Sequence, residues 1–481
     1  MTVAVLLLSL LCNFGFSSAM REYGIVYPTL LSARGSDEEK SLRINEHMTL
    51  NLKKSEVFTD DFMFISEENG ERIHLPMRKD NYEKDLYHDA ELMSSVVVRT
   101  DGGVSVEGIL NDTLRIKPLL EMARSSDGLI AHKLYEMPLE KERSPDREDY
   151  KPANVTARDD EFTPFLEARS TRKTYYPEIH IVQDYAHAQA FGFKKDDVIL
   201  YFAIFFNAVN IRYALNESPK IQLRIAVITM STKVEQYLVY AGQNKHQILD
   251  EETLAQFNSY YETKAEFIST DLTYLITGLD MTFYENGKLQ TWVGGYSYVG
   301  GFCQTSKVAM SEDPPASYFG LTVFAHEVGH SLGCVHDGKG AMSNLPGHKG
   351  SASCPWADGY MMSYEKKNRN QYIFSPCCIA DIKNLLRQPQ WGCLKKRQRK
   401  SIKRHGFPGQ YISGNDYCRR VYSTIPDMQY KKEYGIVDCK ARCQDSKYYY
   451  LIAVPDGVPC DPERKGSKRC FLGQCVTPKD E

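Results

Sequence analysis

The sequence predicts an α+β chain of three parts: a β-rich N-terminal region, a central mixed twisted sheet with packed helices, and a small disulfide-rich C-terminal domain. Strand-like and helix-like patterns alternate through residues 173–395, which is typical of a mixed sheet covered by helices. Short runs of β-branched residues recur within residues 20–172. Of the thirteen cysteines, all but Cys12 lie at or after Cys303, so the cysteine distribution separates the parts.

Length and composition are those of a globular, multidomain protein. The 481 residues suffice for about two to four domains. A hydrophobic fraction of 42% with 25% charged residues excludes a disordered chain. The net charge of −3 gives no general attraction to nucleic acid. Beyond residue 20, no apolar run approaches the roughly 18 residues of a membrane-spanning helix. We therefore expect neither a nucleic-acid partner nor a membrane span.

Residues 1–19 have the features of a signal peptide. An apolar run over residues 3–12 precedes Ser17 and Ala19, small residues of the kind that signal peptidase prefers. Lys and Arg are missing before the run, so a buried N-terminal strand is the alternative. Removal of the segment would take Cys12 with it and leave an even number of cysteines, which fits disulfide formation outside the cell. We expect a secreted, extracellular protein.

The N-terminal region, residues 20–172, reads first as strands and then as a linker. Strands are expected over 21–28, 94–99, 104–109 and 114–119, with a hairpin turn at 101–103. Proline and charge accumulate over 140–160, which predicts an exposed, poorly ordered linker. The linker ends at 169–172, an R-x-x-R sequence that can serve as a basic cleavage site; an ordinary basic loop is the alternative.

The central region, residues 173–395, contains the elements of the mixed sheet in sequence order. Strands are expected over 176–184, 221–230, 271–280 and 296–302, the last as an edge strand. Helices are expected over 197–214, 251–267 and about 317–332, and the first of them is apolar on most sides, as a buried helix would be.

Five residues of the last helix and the turn after it carry the chemistry: His326, Glu327, His330, Gly333 and His336, in the pattern HExxHxxGxxH. Four-residue spacing puts the first two imidazoles on one helix face, where both can bind one metal ion. The glycine can end the helix in a left-handed conformation and return the chain, so that a third nitrogen is supplied. Three protein ligands leave zinc a fourth position for catalysis, and the adjacent glutamate suits a base acting on water.

Two other interpretations of the pattern stay open: histidines that are merely surface or core residues, and a zinc site with a purely structural role. Downstream, residues 359–364 contain Met361 and Met362, either of which could form an apolar floor under the metal. We favour Met362; an ordinary core methionine is the alternative.

With the long zinc pattern and this methionine, the sequence resembles the metzincins. Asp337, directly after the third histidine, resembles the reprolysin branch, the ADAM-type and snake-venom metalloproteases. The variant HSLGCVHDG and the short tail look most like the secreted salivary reprolysins of ticks. The resemblance implies a secreted zinc endopeptidase in which Glu327 assists water and substrate extends the edge strand at 296–302. It implies extracellular substrates such as fibrinogen or matrix proteins during blood feeding. The alternative is an inert antagonist that binds host proteins through its C-terminal module.

By the same resemblance, residues 20–172 are a propeptide that keeps a zymogen folded and silent. Such propeptides often use a free cysteine as a zinc ligand. This region has no cysteine once Cys12 is removed, so a cysteine switch is excluded. Latency must then come from another ligand or from steric blocking.

The resemblance also implies structural bonds and a second metal. We expect the disulfides Cys303–Cys393 and Cys354–Cys377, which leaves Cys334 with Cys378; a free, buried Cys334 thiol is the alternative. Reprolysins often hold structural calcium, and Glu178 and Asp271 occupy the positions of two carboxylate ligands. After Cys393, where an amide oxygen is expected, come Leu394, Lys395 and Lys396, and ordinary surface carboxylates are the alternative.

A basic run at 395–405 leads from the central region into the C-terminal part, residues 396–481, which continues as a cysteine-rich domain. A solvated linker is the plain interpretation of the run; a processing site or a contact with heparin-like matrix is the alternative. The six cysteines at 418–475 resemble the modules that follow ADAM-type catalytic domains. N-x-S/T sequences make Asn111, Asn154 and Asn216 candidate glycosylation sites.

Overall fold

The computed structural model describes residues 21–31, 38–68, 71–137, 147–155, 174–395, 414–422, 425–454, 458–460, 468–471 and 474–476. The chain forms two compact units, residues 1–399 and 400–481. The signal peptide expected at 1–19, the R-x-x-R sequence at 169–172 and all but the first residue of the basic run at 395–405 lie outside the described residues.

The N-terminal region folds into an antiparallel sheet of nine strands around its own apolar core. The hairpin expected between 94 and 109 is confirmed, because the strands Ser94–Arg99 and Ser105–Ile109 pair along their length. The strands of this sheet are β1 (Arg21–Val26), β2 (Thr29–Leu30), β3 (Glu39–Arg43), β4 (Thr49–Lys54), β7 (Leu86–Asp89), β8 (Ser94–Arg99), β9 (Ser105–Ile109), β10 (Leu114–Pro118) and β11 (His132–Glu136), and a short helix, α1 (Asp80–Glu83), precedes β7.

A second sheet of eight strands crosses the boundary between the N-terminal and central regions. The strands are β5 (Phe58–Glu68), β6 (Glu71–Pro76), β12 (Tyr150–Pro152), β14 (Glu178–Gln183), β16 (Arg224–Met230), β18 (Leu272–Thr277), β21 (Gly295–Val299) and β22 (Val308–Glu312). Their order in the sheet is β12-β21-β22-β18-β14-β16-β5-β6, and every pair except β21–β22 and β5–β6 is parallel. The N-terminal region therefore supplies strands to both edges of the central sheet.

Helices and short strand pairs complete the first unit. The helices are α2 (Tyr185–Gln189), α3 (Lys195–Ala214), α4 (Asp250–Tyr261), α5 (Ala265–Ser269), α6 (Leu321–Ser331) and α7 (Pro376–Arg387), with 3-10 turns at Trp356–Asp358, Arg369–Tyr372 and Pro389–Lys395. The short strands are β13 (Thr174–Tyr175), which pairs with β15 (Lys220–Ile221), and β17 (Gln247–Leu249), β19 (Asp280–Glu285) and β20 (Lys288–Gln290), which form a small sheet.

Helix α3 is the core helix of the first unit. It is long and apolar enough to cross a membrane by length and composition alone, but 89% of its most apolar window is buried. One side faces the central sheet at β16, and strands β7, β8 and β9 of the N-terminal sheet pack on another. The hydroxyl of Ser95 donates to the carbonyl of Ile204 at 2.7 Å, and the Asn207 amide donates to the carbonyl of Tyr87 at 3.0 Å. Burial on all sides explains why its sequence lacks a polar face.

Several expected elements have different bounds in the structure. The strand expected over 221–230 is interrupted at 222–223, where the Leu223 N–H donates instead to the Asn210 side chain. The helix expected over 251–267 ends at Tyr261, and a separate turn of helix follows. The zinc-motif helix begins at Leu321 rather than near 317, because Tyr318 has φ +58° and the Gly320 N–H donates to Asp313.

The prediction of an exposed linker over 140–160 is wrong for residues 147–155. Asp149 and Tyr150 are buried, and β12 pairs with β21 of the central sheet. The strand expected to form an edge is therefore covered. Proline and charge density describe the local composition correctly, but they cannot predict a long-range contact that buries two side chains.

Accessibility separates the candidate glycosylation sites. Asn154 is exposed and Asn111 is half-buried. Asn216 is only 8% exposed, and its amide donates to the carbonyls of Arg212 and Tyr213. A buried amide with these partners is a poor acceptor, so the prediction is not supported at Asn216.

The second unit is small and held by disulfides. In its main sheet, the strand Lys440–Gln444 lies between the strand Tyr449–Ala453 on one side and the short strands Gln429–Tyr430 and Ile436–Val437 on the other. Disulfide bonds join Cys418 to Cys443, Cys439 to Cys470 and Cys460 to Cys475. Its described elements are α8 (Gly414–Val421), β23 (Gln429–Tyr430), β24 (Ile436–Val437), β25 (Lys440–Gln444), β26 (Tyr449–Ala453), β27 (Arg469–Phe471) and β28 (Gln474–Val476). A region with so small a core needs such cross-links to fold stably.

Candidate metal centre

Helix α6 and the turn that ends it bring the three histidines together. The expectation for Gly333 is confirmed: its φ is +100°, and a Cβ there would lie 2.9 Å from the Leu385 side chain. The N–H groups of Gly333 and Cys334 donate to the carbonyls of His330 and Gly329, which closes the helix and returns the chain. His336 is thereby carried back to the face of α6 that holds the first two imidazoles.

The Nε2 atoms of the histidines converge on one point. His326 Nε2 lies 3.0 Å from His330 Nε2 and 3.1 Å from His336 Nε2. The Nδ1 atoms of His326 and His330 face the carbonyl oxygens of Met361 and Cys334, at 2.7 and 2.8 Å. A carbonyl only accepts, so the single proton of each neutral ring is on Nδ1 and Nε2 presents a lone pair. Converging lone pairs repel unless a cation lies between them, so these residues fit Zn²⁺.

Burial keeps the imidazoles in the form that binds metal. Burial, reinforced by the neighbouring His330, holds the pKa of His326 well below its ordinary value. Burial also lowers the pKa of His330. A neutral ring with a fixed Nδ1–H is the ligand form of histidine, and its carbonyl partner orients it.

Met361 and Met362 both lie under the metal centre, in different roles. The Met361 carbonyl orients His326, as described above. The Met362 carbonyl accepts from the Asp337 N–H at 3.0 Å, and its sulfur packs so closely under α6 that a Cβ at Gly329 would lie 2.8 Å from it. Met362 therefore packs against the helix that carries the histidines, and Met361 contributes its backbone carbonyl; the role of Met362 as an apolar floor under a metal ion stays a prediction.

Glu327 is fully buried beside the histidines. Its Oε2 accepts a hydrogen bond from the Ser297 hydroxyl at 2.7 Å. A Cβ at Gly295, two residues earlier on β21, would lie 2.4 Å from Glu327 Oε1, so this strand accommodates the carboxylate only with glycine there. Ser297 is a site residue that the sequence analysis missed, because a serine in a strand has no pattern of its own.

Asp149 is the second residue that the sequence analysis missed. Its Oδ1 lies 3.2 Å from His330 Nε2 and 3.0 Å from His336 Nε2, and its Oδ2 lies 3.8 Å from His326 Nε2. The four ligand atoms lie within 4.8 Å of one another, and all four residues are buried. Neither spacing nor composition points to an aspartate 177 positions before the first histidine; the fold alone brings it here.

The structure joins the three cysteine pairs that the resemblance implied. Cys303 is bonded to Cys393, Cys354 to Cys377, and Cys334 to Cys378. The third bond ties the turn after His330 to helix α7. Ser375 caps that helix and also donates to Asp337 at 2.6 Å. The segment that carries His336 is thus held covalently and by hydrogen bonds.

The two candidate calcium ligands lie together, at the start of adjacent strands. The Glu178 N–H donates to Asp271 Oδ2 at 2.9 Å, and Asp271 is 1% exposed. They are therefore not the ordinary surface carboxylates of the alternative interpretation. The Lys307 ammonium donates to the carbonyl of Thr270 beside them, so a cation is already present in this corner.

Comparison with known proteins finds a family model that matches the part of the chain containing the three histidines. Residues 174–385 match the family model Reprolysin_5, described as metallo-peptidase family M12. The match contains all three histidines and begins one residue after the boundary expected at 173.

Three relatives are similar to larger parts of the chain. The Bombyx mori protein "A disintegrin and metalloproteinase with thrombospondin motifs like" is 30% identical over 63% of this chain, which spans 44% of that relative. The Olivierus martensii protein "Venom metalloproteinase BumaMPs1" is 27% identical, with 76% of this chain and 90% of the relative covered. "Venom metalloproteinase antarease TserMP_A" of Tityus serrulatus is 26% identical, over 77% and 92%.

Proposed function

We propose that residues 174–385 are a zinc metalloendopeptidase domain of the reprolysin type, and that the chain is the secreted zymogen of an endopeptidase that cleaves extracellular proteins. The observation that carries the proposal is the convergence of three imidazole Nε2 atoms beside the buried carboxylate of Glu327. In this proposal residues 1–19 are a signal peptide, residues 20–172 a propeptide and residues 396–481 a linker with a cysteine-rich domain.

In the proposed mechanism, His326, His330 and His336 would hold the metal. A zinc ion bound there would supply Lewis-acid chemistry. Glu327 takes a proton from the attacking water and passes it to the leaving amine. Ser297 holds the Glu327 carboxylate in place. The backbone of β21 offers main-chain hydrogen bonds to an extended substrate, which would take the place of β12.

The proposed substrates are extracellular proteins such as fibrinogen and matrix components, as the resemblance to salivary enzymes of blood-feeding ticks suggests. The venom metalloproteinases among the relatives support secretion. Contact with heparin-like matrix through 395–405 remains a prediction.

A fluorogenic-peptide assay of the processed protein tests the proposal against an inert antagonist. We expect hydrolysis that a chelator abolishes and zinc restores. Protein that binds zinc but cleaves nothing in a broad peptide library would instead favour the antagonist.

Replacing Ser297 by alanine should lower kcat of the processed enzyme by about tenfold and leave zinc content unchanged. The hydroxyl orients Glu327 without touching the metal ligands, and loss of a positioning hydrogen bond of this kind has effects of roughly 10–100-fold. The measurement is kcat and KM across the pH range. Because Ser297 acts through the base, the acid limb of the kcat profile should shift while KM stays constant.

The matched control for Ser297→Ala is Ser311→Ala on the neighbouring strand. Ser311 is equally buried, but its hydroxyl contacts no hydrogen-bond partner among the described residues. A Ser297 variant with an unaltered pH profile would contradict the positioning role.

We also propose structural calcium at Glu178 and Asp271. Their proximity at the start of β14 and β18 and their burial support this site, and a calcium ion bound there would displace the Lys307 ammonium that lies beside them. Millimolar CaCl2 added to zinc-saturated protein should raise Tm by about 2–4 °C, since a ligand that binds only the folded state stabilises it. Asp271→Asn should abolish the rise. An equal rise with MgCl2, or none, would count against the site.

A further inference from the structure

We propose that Asp149 is the fourth protein ligand of the zinc ion in the uncleaved chain and thereby keeps the enzyme latent. The inference rests on the proposed function and specifies its regulation. The observation behind it is the position of the Asp149 carboxylate, within 3.0–3.8 Å of all three Nε2 atoms. A tetrahedral zinc ion with three histidines and a carboxylate has no position left for the water that hydrolysis requires.

The charge of Asp149 needs a cation at this point. Its side chain is 6% exposed, and a buried carboxylate is stable only when it is paired. The cationic side chains on either side have other partners, since Arg147 pairs with Asp250 at 2.7 Å and Lys151 pairs with Glu251. Two of the imidazoles that face Asp149 present lone pairs, as their Nδ1 hydrogen bonds dictate. A metal ion bound to all four residues satisfies the carboxylate and the nitrogens together.

The segment that carries Asp149 also occupies the expected substrate path. The Ser297 N–H donates to the Asp149 carbonyl at 3.1 Å, and the Ala153 N–H donates to the Val299 carbonyl at 3.1 Å. These main-chain groups of β21 are those that an extended substrate would use. Residues 147–155, which we name the blocking segment, therefore prevent both water from reaching the metal and peptide from reaching the strand.

Contacts on both sides of Asp149 hold the blocking segment in the cleft. On the N-terminal side, the Arg147 guanidinium lies 3.4 Å from the centroid of the Phe283 ring. On the C-terminal side, the Asn344 amide donates to the Ala153 carbonyl at 2.8 Å. In the middle, the Tyr150 ring lies 4.5 Å from the His330 ring and screens it from solvent. Asp149 is thus held between anchors, as a metal ligand must be.

These contacts give propeptide cleavage a defined consequence. A cut at 169–172 would separate the blocking segment from the catalytic domain covalently, yet every contact described above would remain. Activation therefore requires that the blocking segment leave the cleft, in addition to the cut.

The test uses the uncleaved full chain, with Asp149→Ala and Asp149→Asn compared with Glu148→Gln. Glu148 is the adjacent acid; its side chain is 48% exposed, and it lies 3.7 Å from Lys339 rather than at the histidines. Cobalt replaces zinc, so that visible absorption reports the ligands of the metal. Acetohydroxamate, a small bidentate chelator, reports whether a position on the metal is open.

We expect both Asp149 variants to have an altered cobalt spectrum. They should also bind acetohydroxamate at least about tenfold more tightly than the wild type, because the metal position that Asp149 occupies in the wild type is then open to the chelator. Glu148→Gln should behave as the wild type does. Asp149→Asn keeps the shape of the side chain, so it remains informative if the alanine variant folds poorly. Unchanged spectra and unchanged acetohydroxamate binding in the folded Asn variant would overturn the proposal.

Failure of the proposed function has a different result. In that case the processed wild-type protein would neither take up one cobalt ion at the histidines nor cleave peptides. If the processed protein is active but the cobalt spectra of the Asp149 variants equal that of the wild type, only the latency proposal is wrong.

Discussion

Replacing Glu327 by alanine should lower kcat/KM of the processed enzyme by about 10²–10⁴ while the protein keeps its zinc. The carboxylate is buried beside the three histidines but is not one of the converging ligand atoms. Its loss therefore removes the proton acceptor and leaves the metal ligands intact. The measurement is peptide hydrolysis together with zinc content determined by mass spectrometry.

The matched control for Glu327→Ala is Glu262→Ala, at the exposed C-terminal end of α4. That variant should retain full activity. Glu327→Gln, which keeps the hydrogen-bonding shape, should be nearly as impaired as the alanine variant. A Glu327 variant with wild-type proteolysis would refute its assignment as the base.

Expression of residues 173–481, without residues 20–172, should yield little or no folded protein. Strand β5 extends the central sheet by pairing with β16, and β7, β8 and β9 cover one side of α3. Fully burying one large apolar side chain contributes about 1.5–3 kcal/mol, and the net stability of a domain is only about 5–15 kcal/mol. Exposing several such side chains on α3 would together remove a free energy comparable to the net stability of the domain. The measurement is soluble monomer by size exclusion, followed by thermal melting.

The matched control removes residues 414–481 instead. These residues belong to the other compact unit, so the melting transition of the first unit should be preserved. Supplying residues 20–172 as a separate chain during refolding should restore folded enzyme. Once folded and cross-linked, the remaining domain should persist after residues 20–172 have been cleaved and removed, since its lifetime depends on the unfolding barrier. A shortened domain that folds alone with the Tm of the full chain would contradict this account.

Sequence reasoning succeeded where local spacing determines geometry. The i, i+4 histidines need only a helix to share a face, and Gly333 needs only a positive φ to return the chain to His336. The hairpin of β8 and β9 is local in the same sense. These predictions depend on residues within about fifteen positions of one another, over which backbone geometry is nearly fixed by the sequence.

Sequence reasoning failed where contacts between distant parts of the chain determine whether a segment is buried. Asp149 and Tyr150 lie in a stretch whose prolines and charges are typical of a linker, yet the cleft buries both. The three residues of β12 are too few to produce a periodic pattern. Tyr150 of this strand pairs with Ser297, which lies far along the chain, so no local pattern predicts the pairing. Whether latency would come from a ligand or from steric blocking could not be predicted from the sequence, because the proposed mechanism depends on that pairing.

Anomalous diffraction at the zinc absorption edge, from crystals of the full uncleaved chain, tests the metal centre most directly. We expect one strong peak about 2.0–2.2 Å from the Nε2 atoms of His326, His330 and His336, and from one Asp149 carboxylate oxygen. Absence of a peak among these nitrogens, in protein that contains stoichiometric zinc, would contradict the central claim that the three histidines form the catalytic zinc site.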